Sequence, residues 1–562
     1  MARYTVVDIL PSVPATPKTA LLAATTAGLL WHRVYNRHEP TIRSFVRDYF
    51  LTVTAFAIVT YASPLSIKVK LLATFVFQVV ELVVLGLSIG AYRLFFHPLR
   101  KYPGPQSAKL TKWTGAYWAS TGKLHDIVLA LHEKYGDIVR IGPNELSFGD
   151  ADAIKYIYGA HSSTITKGPY HSASIYTPTG KSMPNLRDYH EHKVRRRMWD
   201  NGFSQAQLKR YEPRVIAVID ALCDRLQEFD GKIVDLRSWM DYVTFDVMGD
   251  LALSKTFGLL DDDGPRFYSE AVRSGIRLRN IIGNVPWMSP VAYLLPMNPT
   301  FKQYAGRFKS LSSKAFKERR AKGTEPDDIF THIIAGNKDG TTTTETDLEA
   351  DAPILIIAGS DTSSIASALL FYFVAKNPKV YARLRDEIDR AWDGQSPLTS
   401  DMLSFNKCPI LNGTIYEALR IWPPGPNHQQ RRTFEDVGHE INGVIIPPET
   451  QVGVHVLTVQ RSEKNFTRPL EFVPERWSDS LRDPAWNHNS KAWMPFQIGA
   501  YGCIGKKLAL QELQLLVTKV IGNFDVSMPA DFDHVAFEAS IKSFQSLIMG
   551  PLPLLIKTRT KG

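Results

Sequence analysis

A mainly α-helical body with a minor β-sheet, carried behind apolar N-terminal helices, is the architecture predicted for this 562-residue chain. Three observations predict it. Apolar stretches crowd the first hundred residues. From about Gly104 onward, apolar residues recur at helical spacing, as in LHDIVLALHEKYG, KVYARLRDEIDRAWDG and LALQELQLLVTKVIGNF. Only short segments such as DIVRIGPNELSFGD and HEINGVIIPPETQVGVHVLTV read as strands. The chain exceeds what one hydrophobic core usually supports, so a large body with accessory segments is expected, divided into 1–97 and 98–562.

Residues 19–31 fall short of the roughly 20 that a bilayer requires, residues 49–65 are marginal, and residues 71–96 are long enough. One to three membrane spans are expected in 1–97; a cleaved signal peptide is the alternative for the first stretch and a buried core helix for the third. Arg33, Arg37, Arg43 and Arg47 follow the first stretch, whereas only Lys68 and Lys70 precede the third. With Arg93, Arg100 and Lys101 near its end, the positive-inside rule puts everything beyond Phe96 in the cytosol. Pro98, Pro103 and Pro105 then forbid a continuing helix and stiffen a hinge. The net charge of +10 suits an anionic membrane surface or an acidic protein partner. Nucleic acid is disfavoured, because no zinc-finger spacing occurs and the basic residues are scattered apart from KVRRR.

The run IIAGSDTSSIASALLFYFVAKNP is a long apolar helix interrupted by Gly359, Ser360, Asp361 and Thr362. A membrane span is one reading, but an acid in mid-span is costly. In the other, Gly359 lets a flat ligand approach the backbone, and Thr362 bonds back to the carbonyl of Ala358, opening the helix locally. A buried helix with a capped polar patch is the plain alternative. Pro353 should kink the first turns or delay their start. In YEALRIWPPGP, Glu417 and Arg420 share a helix face, and their apolar neighbours predict a buried pair with Arg476 of FVPERW as a further partner. The basic run from His192 to Arg197 is either a solvated face or an anion site.

Three widely spaced cysteines with no CxxC pair make no disulfide framework. Cys223 and Cys408 are expected to pack, while Cys503, in PFQIGAYGCIGKKLAL, is framed by glycines just ahead of a helix. The sequons at Asn412 and Asn465 would stay unmodified in a cytosolic domain.

Together these residues resemble the cytochrome P-450 family of haem-thiolate monooxygenases, from about Arg93 to the C-terminus and in the family's order of motifs. FQIGAYGCIG looks like the family's Phe-x-x-Gly-x-Arg-x-Cys-x-Gly loop, which makes Cys503 the iron ligand. Phe496 would then shield the proximal face, and Gly499, Gly502 and Gly505 would let the loop curl beneath the porphyrin. A helix starting near Gly505 favours the thiolate through its dipole. AGSDTS matches the oxygen-activation motif, implying that Asp361 and Thr362 relay protons to dioxygen as it is reduced. Glu417, Arg420 and Arg476 match the family's structural triad. His192 and Arg196 fall on its Trp-x-x-x-Arg pair, and Arg432 where another propionate-binding arginine stands. Two departures are visible: Tyr501 replaces the loop arginine, leaving a propionate at most a hydroxyl partner, and His192 replaces tryptophan.

The resemblance implies a cytochrome P-450-like fold holding haem b (iron protoporphyrin IX) and inserting one atom of dioxygen into a lipophilic small molecule. Without a flavin or nicotinamide fingerprint, electrons should come from a separate membrane-bound, NADPH-dependent reductase, with Lys506 and Lys507 on the surface that meets it. The catalytic domain should face the cytosol from the endoplasmic reticulum membrane. The N-terminal organisation and FHPLRKYPGP are similar to fungal members, which points to secondary metabolism and a terpenoid or polyketide-like substrate. Residues 171–184, residues 276–290 and the helix face beside Gly359 are the expected pocket lining. The alternatives are a haem-thiolate isomerase or dehydratase working without a reductase, and a non-catalytic haem-binding membrane protein.

Overall fold

The computed structural model describes residues 17–36, 42–61, 63–159, 165–173, 180–261, 264, 266–292, 299–336, 343–434 and 438–559. Three helices open the chain, Pro17–Tyr35, Ile42–Tyr61 and Ile67–Ala91, and a π-helical turn, Tyr92–Phe96, extends the third. Residues Ile67–Phe96 form a continuous helix long and apolar enough to cross a bilayer, and little of it is buried. Leu71, Leu72, Phe75 and Leu87 point outward from it. The first helix crosses the third closely at Gly28, where a Cβ would lie 2.8 Å from the carbonyl oxygen of Glu81. His32 Nδ1 and Ser88 Oγ, 2.5 Å apart, tie the same two helices further along. Pro98 then ends the helical path, and the short turn Pro98–Lys101 leads into the body.

In the body a five-stranded sheet runs in the order Ile138–Gly142, Glu145–Phe148, Gln451–Val454, Arg431–Thr433, Ile165–Lys167. The last two strands are antiparallel and set Lys167 opposite Arg431 and Thr166 opposite Arg432. A separate, larger core surrounds the helix Glu345–Lys376. Thr344 caps that helix, its hydroxyl accepting from the Asp347 N–H at 3.2 Å. The helix begins at Glu345 and continues past Pro353, so the expected delayed start does not occur. Although apolar enough for a membrane span, it is mostly buried in protein and serves as the central core helix.

Gly359 also differs from expectation. A Cβ there would sit 2.5 Å from Met248 Sδ on the helix Leu236–Leu253. The glycine therefore permits a close helix crossing, where a ligand's approach to the backbone was expected.

The buried pair is present and larger than a pair. Arg420 grips Glu417 bidentately, Nε to Oε2 at 2.8 Å and Nη2 to Oε1 at 2.9 Å, and Arg476 Nε adds a bond to Oε1 at 2.9 Å. The N–H of Val473 and the indole of Trp477 fill the carboxylate's remaining positions. All three charged side chains are fully buried. Burial alone would raise the Glu417 pKa, but Arg420 and Arg476 hold it below the usual carboxylate value. Arg420 Nη1 also donates to the carbonyl of Gln460, whose side-chain oxygen accepts from the Met494 N–H at 2.8 Å. The triad thus fixes the start of the loop that carries Cys503.

Candidate active site at the Cys503 loop

The loop's shape follows from its glycines. Gly499 has φ +73°, and a Cβ there would lie 1.8 Å from the carbonyl oxygen of Tyr158, so no other residue fits. A 3₁₀ turn, Gly499–Tyr501, follows, closed by Gly502 N–H to Gly499 O at 2.9 Å. Cys503 N–H then donates back to Phe496 O at 2.8 Å, which turns the thiol out of the loop just before the helix Lys506–Asn523. Cys503 is exposed, and desolvation by the protein around the loop pushes its thiol pKa up. The N–H groups of Gly505 and Lys506, with the charges of Arg196 and Lys506, draw it back down.

The central helix has a locally exposed stretch of its own. Ala358 and Thr362, one turn apart, are exposed, Gly359 is half-buried, and the residues that follow Thr362 are buried. The Thr362 hydroxyl donates to Ala358 O at 2.8 Å. Asp361, next to it in the chain, is buried and accepts from Ser546 Oγ at 2.6 Å, and burial raises its pKa to about 6.

Basic side chains gather around Tyr501. From the helix Tyr189–Gly202, the His192 ring lies 4.6 Å from the Tyr501 ring, edge to face. Burial, then Lys167, Arg196 and Arg431, drive the His192 pKa down to about 2, so the imidazole is neutral. Arg196 donates to Gly502 O at 2.7 Å and to Asp200 at 2.8 Å, which places it against the cysteine loop. Its neighbour Arg195 pairs with Asp351 of the central helix, so the basic run is only partly a solvated face.

Arg432 does not join this group. It bonds to Glu449, and Arg431 takes the inner position, buried between the rings of Tyr158 and Tyr501 at 4.9 Å from each. The reason is strand geometry: adjacent residues point to opposite faces, so only one of the two arginines can face Tyr501. Across the sheet Lys167 shares that face, with Nζ 4.9 Å from the Tyr501 ring. Tyr158, Lys167 and Arg431 were missed from the sequence; the Arg-Arg doublet in a strand was the only signal.

A prosthetic group that coordinates a thiolate and carries carboxylates on its edge suits these residues. Among the described residues Arg431 Nε has no partner, and its Nη1 bonds to the carbonyls of Gln429 and Gln430. Among the described residues no carboxylate pairs with Arg431 or Lys167, and buried charges are ordinarily paired. A haem-thiolate protein is the class that such a site defines.

The family profile for cytochrome P450 matches residues 103–557. Cytochrome P450 monooxygenase FCK2 of Fusarium pseudograminearum (strain CS3096) is 32% identical over 492 residues, covering 86% of both chains. Cytochrome P450 monooxygenase orf5 of Eupenicillium brefeldianum is 32% identical over 486 residues, 85% of this chain and 95% of the relative. Averantin hydroxylase of Dothistroma septosporum (strain NZE10 / CBS 128990) is 31% identical over 474 residues, 82% of this chain and 86% of the relative. The chain belongs to the cytochrome P450 family, and it is an oxidoreductase of the monooxygenase kind.

Proposed function

We propose that the chain is a membrane-anchored haem b monooxygenase acting on a lipophilic small molecule of fungal secondary metabolism, terpenoid or polyketide-like. The balance is one dioxygen, two electrons and two protons per turnover: one oxygen atom enters a substrate C–H bond and the other leaves as water. Haem, when bound, supplies the redox chemistry of dioxygen activation. Cys503 would present its sulfur to the iron, while Arg431, His192 and Arg196 would hold the group's carboxylate edge. Thr362 would hold a proton donor in the opening, and Asp361, its pKa raised by burial to about 6, would reload it through water.

Exposed Lys506 and Lys507, at the start of the helix behind Cys503, would meet an acidic face of an NADPH-dependent reductase. Residues 1–97 would anchor the enzyme in the endoplasmic reticulum with residues 98–562 in the cytosol. Of the expected substrate lining, residues 276–290 fall largely on the helix Phe267–Asn284, where Asn280 accepts from the Tyr170 hydroxyl at 3.0 Å. Residues 174–179 lie outside the described residues.

The open Thr362 hydroxyl on an otherwise buried stretch of helix carries this reading over a reductase-independent isomerase. Thr362→Ala keeps helix propensity and should keep fold and haem. Product formed per reductant consumed should fall about tenfold or more, with hydrogen peroxide rising. Unchanged coupling would remove Thr362 from this role, and turnover of the parent without reductant would favour the isomerase.

A further inference from the structure

Lys167 ends the strand Ile165–Lys167, only 5% exposed, with its Nζ bonded to the carbonyl of Pro184 at 2.7 Å. An ammonium has three donors, so two remain for another acceptor. Directly opposite on the neighbouring strand stands Arg431, also buried. Like charges facing each other across a strand pair repel, and burial away from water makes that repulsion stronger. Both cations lie at the Tyr501 ring, each 4.9 Å from its centroid. An aromatic face attracts cations, whereas an arginine at 501 would add a third positive charge between them.

We propose that Lys167 binds a haem propionate through its ammonium and supplies the charge that Tyr501 lacks. The charge has moved from the cysteine loop to the strand beside it, and tyrosine at 501 is what lets Lys167 and Arg431 sit together there. The two carboxylates of one haem would neutralise the two cations. Cys503, two residues beyond Tyr501, keeps the iron ligand and this basic edge on one short segment. The proposal rests on the haem reading, which the reduced carbon monoxide spectrum of the parent tests by itself: a parent without the thiolate signature defeats that reading before any variant is made.

The test is the rate of haem transfer from purified holoprotein to excess apomyoglobin, followed by absorbance. Lys167→Gln should transfer haem about tenfold faster or more, as expected for loss of a charge-assisted bond. Lys167→Arg should stay close to the parent. The double variant Lys167→Gln/Tyr501→Arg should be slow again, because it returns the positive charge to the loop. A parental rate in Lys167→Gln, or a double variant as fast as Lys167→Gln, would overturn the proposal. Should Lys167→Gln yield no holoprotein, recovery of holoprotein in the double variant supports the proposal, and none in either overturns it.

Discussion

Two buried charge clusters in this molecule have opposite bookkeeping. Glu417, Arg420 and Arg476 are fully buried, and every arm of the carboxylate is bonded within the protein. Around Tyr501, Arg431 and Lys167 are nearly as deep, yet they face each other with no carboxylate between them among the described residues. A buried charge is tolerable only when paired, so the first cluster is complete as folded, whereas the proposed propionate contacts would complete the second. Depth alone does not separate a structural charge from a ligand-binding one; the count of partners does.

The harshest way to break the contrast is to make the first cluster resemble the second. Glu417→Ala strands Arg420 and Arg476, at a cost of about 3–5 kcal/mol. The carbonyls of Gln460, Pro469 and Thr467 still receive some of their donors, but none offsets the charge. Because Gln460 also holds Met494, the cysteine loop should loosen with the triad. Yield of haem-containing protein should collapse; a normal yield would mean that the triad does not support the loop.

A milder change acts on the second cluster. Arg431→Gln removes a cation that has no carboxylate partner among the described residues, so the fold should persist while haem is held less tightly, with transfer to apomyoglobin about tenfold faster. Arg431 also packs between two tyrosine rings, and losing that contact should cost about 1 kcal/mol. If Arg431→Gln fails to fold as Glu417→Ala should, the distinction between the clusters is lost.

The two clusters were also unequally legible. The triad could be read because its core is local: Glu417 and Arg420 stand three apart on one helix, amid apolar residues that announce burial. The shape of the Cys503 loop was legible for the same reason, since its glycines and the following helix lie within one short segment. Lys167 and Arg431 meet only because strands more than 260 residues apart in sequence pair in one register, which no local pattern encodes. The resemblance singles out Arg432 of the doublet at 431–432, but which arginine faces the loop depends on that register. Gly359 shows the same limit: its reason is Met248 on another helix, and the polar break in its own helix suggested a ligand instead. Partners recruited from nearby sequence were visible; those recruited across the fold were not.

The smallest expected effect comes from Arg432, which makes it the sharpest control on register. Its side chain pairs with Glu449 on the face of the strand turned away from Tyr501, and both groups are partly exposed. A screened pair of that kind is worth about 0.2–1 kcal/mol. Arg432→Ala should therefore leave haem transfer within about twofold of the parent and lower stability by no more than that amount. Measured beside Arg431→Gln, it asks whether one step along a strand moves a residue from ligand binding to surface pairing. Equal acceleration of haem loss in the two variants would mean that the strand sits one residue out of this register, returning Arg432 to the propionate and leaving Arg431 to the surface.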